Sequence, residues 1–310
     1  METSEPSFAG GLLALETARA RYPQASLRLL EHGYDNIVVL VDEAYTFRFP
    51  RNSKALLRDQ YEAQLLPYLG DAHIGVDLPF VIDVASSPAL FITKYVAGQH
   101  LALETIRGFS QSLQETIGAQ LARFAFALHD ALSVQSVLRI REQLHFADNI
   151  GDDSWDVDIE QYLGHDTFPL PAQNKIARHY YNKWRAFSKS SQIVVHDDLH
   201  SENLLFVDNR LRGVLDFGDC AIGTAEQELR HLYRVNETTL AAGIKEYERL
   251  SQRPLDIEAA KAWAIIQDLL AYVRRGETGQ TNHPSFIRSC TTLKHWLGMD
   301  EWTAEAWQKV

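Results

Sequence analysis

The hydrophobic pattern changes character near residue 95. Up to that point apolar residues come in short β-type stretches. Ile37–Val41 is a β-branched run, Ala44–Phe49 an aromatic one, and Phe80–Val84 and Ala89–Tyr95 have strand length as well. Asp42-Glu43, between the first two, has the composition of a tight hairpin turn. One stretch has helical period instead. Leu57, Tyr61, Leu65 and Leu69 fall four apart, Asn52 or Ser53 stands at the capping position, and Gly70 stands at the stop. Beyond Gly98 the helical period takes over. Gln111–Leu132 carries Leu113, Ile117, Leu121, Phe124, Leu128 and Leu132 at that spacing, and Asp256 caps a second long helix reaching Arg275. Two β-like runs, Gln192–Val195 and Gly213–Phe217, lie between them and each leads into acidic residues. The pattern predicts an α+β protein with two parts. Residues 1–95 form an antiparallel sheet with one helix, and residues 96–310 are mainly helical with a small β insert.

Composition then narrows the class. The chain has 310 residues, 45% hydrophobic and 23% charged, which is ordinary for a soluble globular protein and excludes collagen-like or low-complexity architecture. Its formal charge is −11, from 41 acids against 30 bases, which argues against nucleic acid as a partner and favours a cationic one. Cys220 and Cys290 cannot build a disulfide framework and form no CxxC pair, so a reduced, cytoplasmic setting is expected. The N-terminal segment to Arg19 lacks the basic start and apolar run of a secretory signal. No stretch approaches the roughly 20 apolar residues of a membrane span. A monomer is the default expectation.

Candidate chemistry concentrates between Val194 and Gly223. His196-x-Asp198 is followed by Asn203 five residues after that aspartate, and Asp216-Phe217-Gly218 follows thirteen residues after Asn203. Phosphoryl transfer needs a carboxylate to orient or deprotonate the attacking hydroxyl, and oxygen ligands to hold Mg²⁺ against nucleotide phosphates. A loop between short strands, followed by a strand ending in Asp, supplies that set. A solvated acidic loop is the plain alternative, and the conjunction of both motifs after apolar runs makes it the weaker one.

On these residues the chain resembles the aminoglycoside phosphotransferase-type small-molecule kinases, which have the bilobal protein-kinase-like fold. The family pattern H-G-D-x-H-x-x-N, then I-D-F or I-D-W, is matched by His196-Asp197-Asp198-Leu199-His200-Ser201-Glu202-Asn203 and Leu215-Asp216-Phe217. Asp197 stands where the family has Gly. The following GDCAIGTAEQEL is similar to the family's G-D-A-x-x-G-D-P-x-x-D-L, with Glu228 at its final Asp. The resemblance implies Asp198 as catalytic base, Asn203 and Asp216 as Mg²⁺ ligands, and ATP or GTP as phosphate donor. It also implies a nucleotide loop at Gly33 to Asn36, where backbone N–H groups approach phosphate. Arg48 stands where kinases carry Lys, with Glu62 as its partner; the competing partner for Glu62 is Arg58, one turn earlier. Thr93, Tyr95 and Val96 fall at the hinge that takes the nucleotide base.

The resemblance implies a small alcohol as acceptor, and fold alone does not choose it. Eight acids against two bases lie from His196 to Glu228, and seven acids with no Lys or Arg lie from Phe146 to Asp166. Carboxylates there suit a polyamine sugar, which places Asp197, Glu202, Asp219 and Glu228 as candidate acceptor contacts. A solvated acidic face is the other reading. Trp155, Tyr162, Trp296 and Trp302 keep open an aromatic cage for a choline-like ligand. A metabolite kinase and a non-catalytic nucleotide-binding protein of the same fold are the rival functions.

Overall fold

The β-branched and aromatic runs of the first hundred residues become one sheet. A computed structural model describes residues 7–31, 33, 35–70, 74–146, 155–187 and 192–308. Along the chain the elements run α1 (Gly11–Arg21), β1 (Leu27–Leu30), β2 (Asn36–Val41), β3 (Tyr45–Pro50), α2 (Ser53–Gly70), β4 (Val81–Ser86), β5 (Ala89–Lys94), α3 (Leu103–Arg107), α4 (Gln111–Ala131) and α5 (Val134–Gln143). They continue with α6 (Trp155–Asp158), α7 (Pro171–Ala186), β6 (Ile193–Val195), β7 (Leu204–Val207), β8 (Arg210–Val214), β9 (Ala221–Gly223), α8 (Ala225–Val235), α9 (Glu237–Ser251), α10 (Ile257–Glu277), α11 (Pro284–Leu297) and α12 (Ala304–Trp307).

The chain divides into two compact units. The first comprises Met1–Ala102, Phe126–Gly151 and Asp198–Cys220; the second comprises Leu103–Ala125, Asp152–Asp197 and Ala221–Val310. The first stretch ends close to the change of texture near residue 95. Hydrophobic period alone does not show that residues 198–220 join the same unit, because long-range pairing decides it. Gln99 bridges to Phe206 and Asp77 to Gly213, and the Tyr61 hydroxyl donates to the Cys220 carbonyl at 2.9 Å.

In the first unit the sheet order is β1-β2-β3-β5-β4, with antiparallel pairs throughout. Alternation along β3 sorts its side chains onto two faces. Phe47 and Phe49 are buried with Ala14 and Ala18 of α1, while Arg48 between them pairs with carboxylates of α2. The connection between β2 and β3 is residues 42–44, with Asp42 and Glu43 both left-handed at φ 52° and the Ala44 N–H donating to the Val41 carbonyl at 2.9 Å. Asn52 is the residue that caps α2, its Oδ1 accepting the Ala55 N–H at 3.0 Å.

Helix α1 and the run Gly213–Phe217 differ from the sequence expectation. Helix α1 has no continuous apolar stripe, since Leu12 and Leu13 are exposed, Ala14 and Ala18 are its buried residues, and Leu15 packs only partly against the core. The run Gly213–Phe217 is not one strand. β8 stops at Val214, pairs with β7, and leaves Asp216 in a left-handed bend at φ 65°. The partner of β6 is instead β9.

In the second unit α10 is buried along most of its length, from Ala259 to Gly276. Tyr272 stacks on Phe286 with centroids 5.1 Å apart, and Trp302 meets the Tyr272 ring edge-on at 5.2 Å. Trp155 and Trp302 are thus core residues, and Trp155 packs edge-on against Trp263. These two tryptophans are therefore withdrawn from the choline-cage expectation, because burial removes their faces from a soluble ligand.

Candidate active site

The loop after Asp197 is short and closes on itself. Asn203 Nδ2 donates to both the carbonyl oxygen and Oδ2 of Asp198, each at 2.9 Å. His200 Nε2 lies 3.2 Å from the same Oδ2, and the His200 N–H returns to the Asp198 carbonyl at 2.8 Å. A single turn over Ser201–Asn203 then delivers the chain into β7. The donor half of the Asn203 amide is spent on Asp198, so the acceptor oxygen is the half a cation would take.

Asp216 follows β8 and is exposed, in a conformation that costs a residue with a Cβ about 1–2 kcal/mol. Non-glycine residues held this way cluster at functional sites. Its charge reaches the Arg48 cluster, where it helps keep the guanidinium protonated and pushes both nearby carboxyls up.

Arg48 meets Glu62 Oε2 at 2.5 Å and Asp59 Oδ1 at 2.7 Å. Its guanidinium also lies 4.5 Å from the centroid of Phe91, its register partner on β5. Asp59 and Glu62 are i and i+3 on α2, so one helix face presents both. Arg58, the competing partner for Glu62, turns elsewhere, to Asp35 at 2.5 Å and Asp219 at 2.7 Å. Asp59 is absent from the sequence reading. The signal that exposes it is an acid one turn before Glu62 on a helix whose neighbours are apolar.

Two acids share one cation here, and the electrostatics follow. Burial works against the Arg48 charge, but Asp59, Glu62 and Asp216 more than offset it and hold its pKa above the usual arginine value. Each carboxyl gets only part of a partner. Burial pushes Asp59 up to about 6 and Glu62 up to about 7, with Arg48 opposing and Asp216 reinforcing the shift. Between the unfolded carboxylate range near 4 and these values, the folded protein holds more protons than the unfolded chain. Stability from these groups is therefore fully present at low pH and is lost as pH rises through about 6 and about 7. Glu62→Gln is expected to gain on wild type as pH rises from 5 to 8, read as a urea-midpoint difference, variant minus wild type, that becomes more positive. A constant gap would show that Glu62 titrates alike in both states.

The loop expected to meet the nucleotide is held by Arg51. Its Nε donates to the Gly33 carbonyl at 3.1 Å, and its Nη2 to the Glu31 carbonyl at 2.5 Å. A Cβ at Gly33 would lie 2.8 Å from the Asn36 carbonyl oxygen, so only glycine fits there. Asn36 Nδ2 contacts Asp59 Oδ1 at 3.4 Å, which ties the start of β2 to the Arg48 cluster. His32 and Tyr34 of this loop lie outside the described residues. Thr93 is buried on β5, Val96 is buried just beyond it, and the Tyr95 N–H is spent on the Ala44 carbonyl at 2.9 Å.

The four candidate acceptor acids separate. Glu202 is exposed, and Asp219 is paired with Arg58. Asp197 and Glu228, both in the second unit, are buried and occupied, which corrects their reading as acceptor contacts. Glu228 accepts the His196 N–H at 2.5 Å and the Asp197 N–H at 3.2 Å, so it anchors backbone. The Asp197 carboxylate pairs with Arg230 at 2.5 Å. A buried anion spent on such a partner has nothing left for a soluble cation. Other carboxylates of the second unit line a cleft of about 410 Å³, Glu226, Asp256 and Glu258, with Thr224, Phe187, Trp263 and Lys183. They too have partners: Asp256 caps α10 and Glu258 pairs with Lys261 at 3.1 Å. Of the acidic stretch after Phe146, Asp148, Asp152 and Asp153 lie outside the described residues.

A strand-borne cation braced by helix acids, a carboxylate locked by an asparagine and an aspartate after the next hairpin together define a kinase-type phosphoryl-transfer protein. The chain belongs to the phosphotransferase enzyme family abbreviated APH, whose pattern it matches over residues 26–272. It is a small-molecule kinase with the mixed α+β, kinase-like fold of that family. No curated protein matches it by sequence. Among solved structures it is similar to the GDP and kanamycin complex of an aminoglycoside 2″-phosphotransferase, at 16% identity and a TM-score of 0.74, over 92% of this chain and 98% of that one. It is also similar to the streptomycin–ATP complex of APH(2″)-IIa, at 18% identity and a TM-score of 0.64, over 96% of this chain and 99% of that one. A third likeness is the macrolide 2′-phosphotransferase MphH from Brachybacterium faecium, at 20% identity and a TM-score of 0.65, over 86% of this chain and 93% of that one. Among the described residues no helix is long and apolar enough to cross a membrane.

Proposed function

We propose that this phosphotransferase moves the γ-phosphoryl group of ATP or GTP to a hydroxyl of a small cationic alcohol of the aminoglycoside type. The observation that carries the reading is Asp198, locked by Asn203 in the unit that also holds Asp216 and the Arg48–Glu62 pair. Asp198 takes the proton of the acceptor hydroxyl while that oxygen bonds to the γ-phosphorus and the bridge to the β-phosphate breaks. Asn203 and His200 hold the carboxylate still for that step, so the work is positioning more than proton affinity. Arg48 grips phosphate oxygens, and its two buried carboxylates keep the guanidinium charged and aimed. Gly33 and Asn36 place backbone beside the phosphates. Thr93, Tyr95 and Val96 face the base, with the Tyr95 N–H already taken by Ala44.

Mg²⁺ fits the residues present. The exposed Asp216 carboxylate and the Asn203 amide oxygen are hard donors of the kind it selects. When bound, it neutralises charge on the phosphates. Support for a cationic acceptor comes from the net charge of −11. Kanamycin and streptomycin occur in complexes of similar structures.

The test is nucleoside-diphosphate release with ATP and GTP separately, across aminoglycosides, macrolides, choline and homoserine. Turnover that depends on a kanamycin- or gentamicin-like acceptor is the expected result. Turnover on choline or homoserine alone would replace the acceptor class and keep the chemistry. Bound nucleotide with no product from any acceptor would overturn the reading.

A further inference from the structure

Asp197 combines two features that each call for an explanation. Its φ of 69° is left-handed, where a residue other than glycine is disfavoured, and the matching family pattern has glycine at this place. Its carboxylate is only 2% exposed and meets Arg230 Nη1 at 2.5 Å. Gln227 Nε2 donates to the same Oδ1 at 3.1 Å. The carbonyl oxygen of Asp197 is held as firmly. Arg230 Nη2 donates to it at 2.6 Å, and His231 Nε2 reaches it at 3.0 Å.

Arg230 needs explaining too. Its side chain is 1% exposed and its guanidinium lies 4.9 Å from the Trp155 ring centroid. A cation at that depth needs a counter-charge, and Asp197 supplies it. An aspartate in left-handed backbone needs an external tie, and Arg230 supplies that. Each residue accounts for the other. The consequence runs through the backbone, because the peptide unit is planar. Holding the Asp197 carbonyl from two sides fixes the plane that also carries the nitrogen and Cα of Asp198.

We propose that Asp197 and Arg230 are a pair of positioning residues for Asp198, doing by ion pairing what glycine at 197 does by conformational freedom. The inference rests on the reading of Asp198 as the base. Neither residue touches the acceptor in this scheme, and the pair acts only through the peptide that precedes Asp198.

The test compares wild type with Asp197→Gly, Arg230→Met and the double variant, by steady-state kinetics and by amide hydrogen exchange over residues 196–203. Each single variant is expected to lower kcat about 10²-fold with the nucleotide KM within about twofold, the signature of a displaced group and not of lost binding. Each is also expected to speed exchange in the loop by about tenfold or more. The double variant should be no worse than the poorer single, because glycine tolerates the left-handed backbone and no buried charge is left stranded. Losses that multiply in the double variant would overturn the proposal. So would single variants that melt earlier yet keep wild-type kcat and loop exchange. Failure of the base assignment reads differently, as wild-type turnover in Asp198→Asn. Should no acceptor support turnover, the exchange data decide the pairing on their own.

Discussion

Asp198→Asn is expected to lower acceptor-dependent turnover by about 10³-fold while nucleotide affinity stays within about threefold. The amide keeps the shape of the carboxylate and can still meet Asn203 and His200, so the loop should keep its closed form. What it loses is the capacity to take a proton from the attacking hydroxyl. It also loses the negative charge that orients that hydroxyl. In the proposed scheme nucleotide binding rests on other residues, chiefly Arg48 and the hinge segment, which the substitution leaves in place. The check is kcat by diphosphate release alongside nucleotide affinity by calorimetry. Near-normal turnover in this variant would move the base elsewhere. A parallel collapse of nucleotide affinity would mean that Asp198 acts on the donor and not on the acceptor.

Arg48→Met is expected to give the largest loss of stability among the site residues, about 3–5 kcal/mol, because it strands two buried carboxylates at once. Asp59 and Glu62 side chains are 3% and 1% exposed, and each has an oxygen on the Arg48 guanidinium. Protonation partly relieves an unpaired buried acid. Without Arg48 both carboxyls should move further above about 6 and about 7, so the loss should be smaller at pH 6 than at pH 8. Arg48→Lys separates charge from shape. An ammonium restores the charge but lacks the planar fork, so it should recover part of the stability and less of the phosphate grip. Urea unfolding at the two pH values, with nucleotide titrations of all three proteins, reads each expectation. An Arg48→Met protein as stable as wild type at pH 8 would show that the two acids find other partners.

The contact between Asp198 and Asn203, the proposed base and its partner, was legible in the chain because it is local. Asp198 and Asn203 are joined by one turn of backbone, so the bond between them follows from spacing. The sheet was legible for a similar reason, since Ile37–Val41 of β2 is an unbroken apolar run and Phe47 and Phe49 alternate with Arg48 along β3, patterns written in consecutive residues. Helix α1 was not, because a helix that buries alanines and exposes leucines leaves no continuous apolar stripe to read.

Other features depend on residues far apart. Asp59 becomes a second partner of Arg48 only when α2 is laid against β3. Asp197 and Glu228 count as acids in any tally of charge, yet burial beside Arg230 and beside backbone N–H groups turns both inward. Formal charge can be summed along a chain, but whether a carboxylate faces solvent or a buried guanidinium depends on packing between distant segments. Residue order thus determined the family pattern and the local Asp198–Asn203 contact, while tertiary structure decided which acids pair with buried cations and backbone.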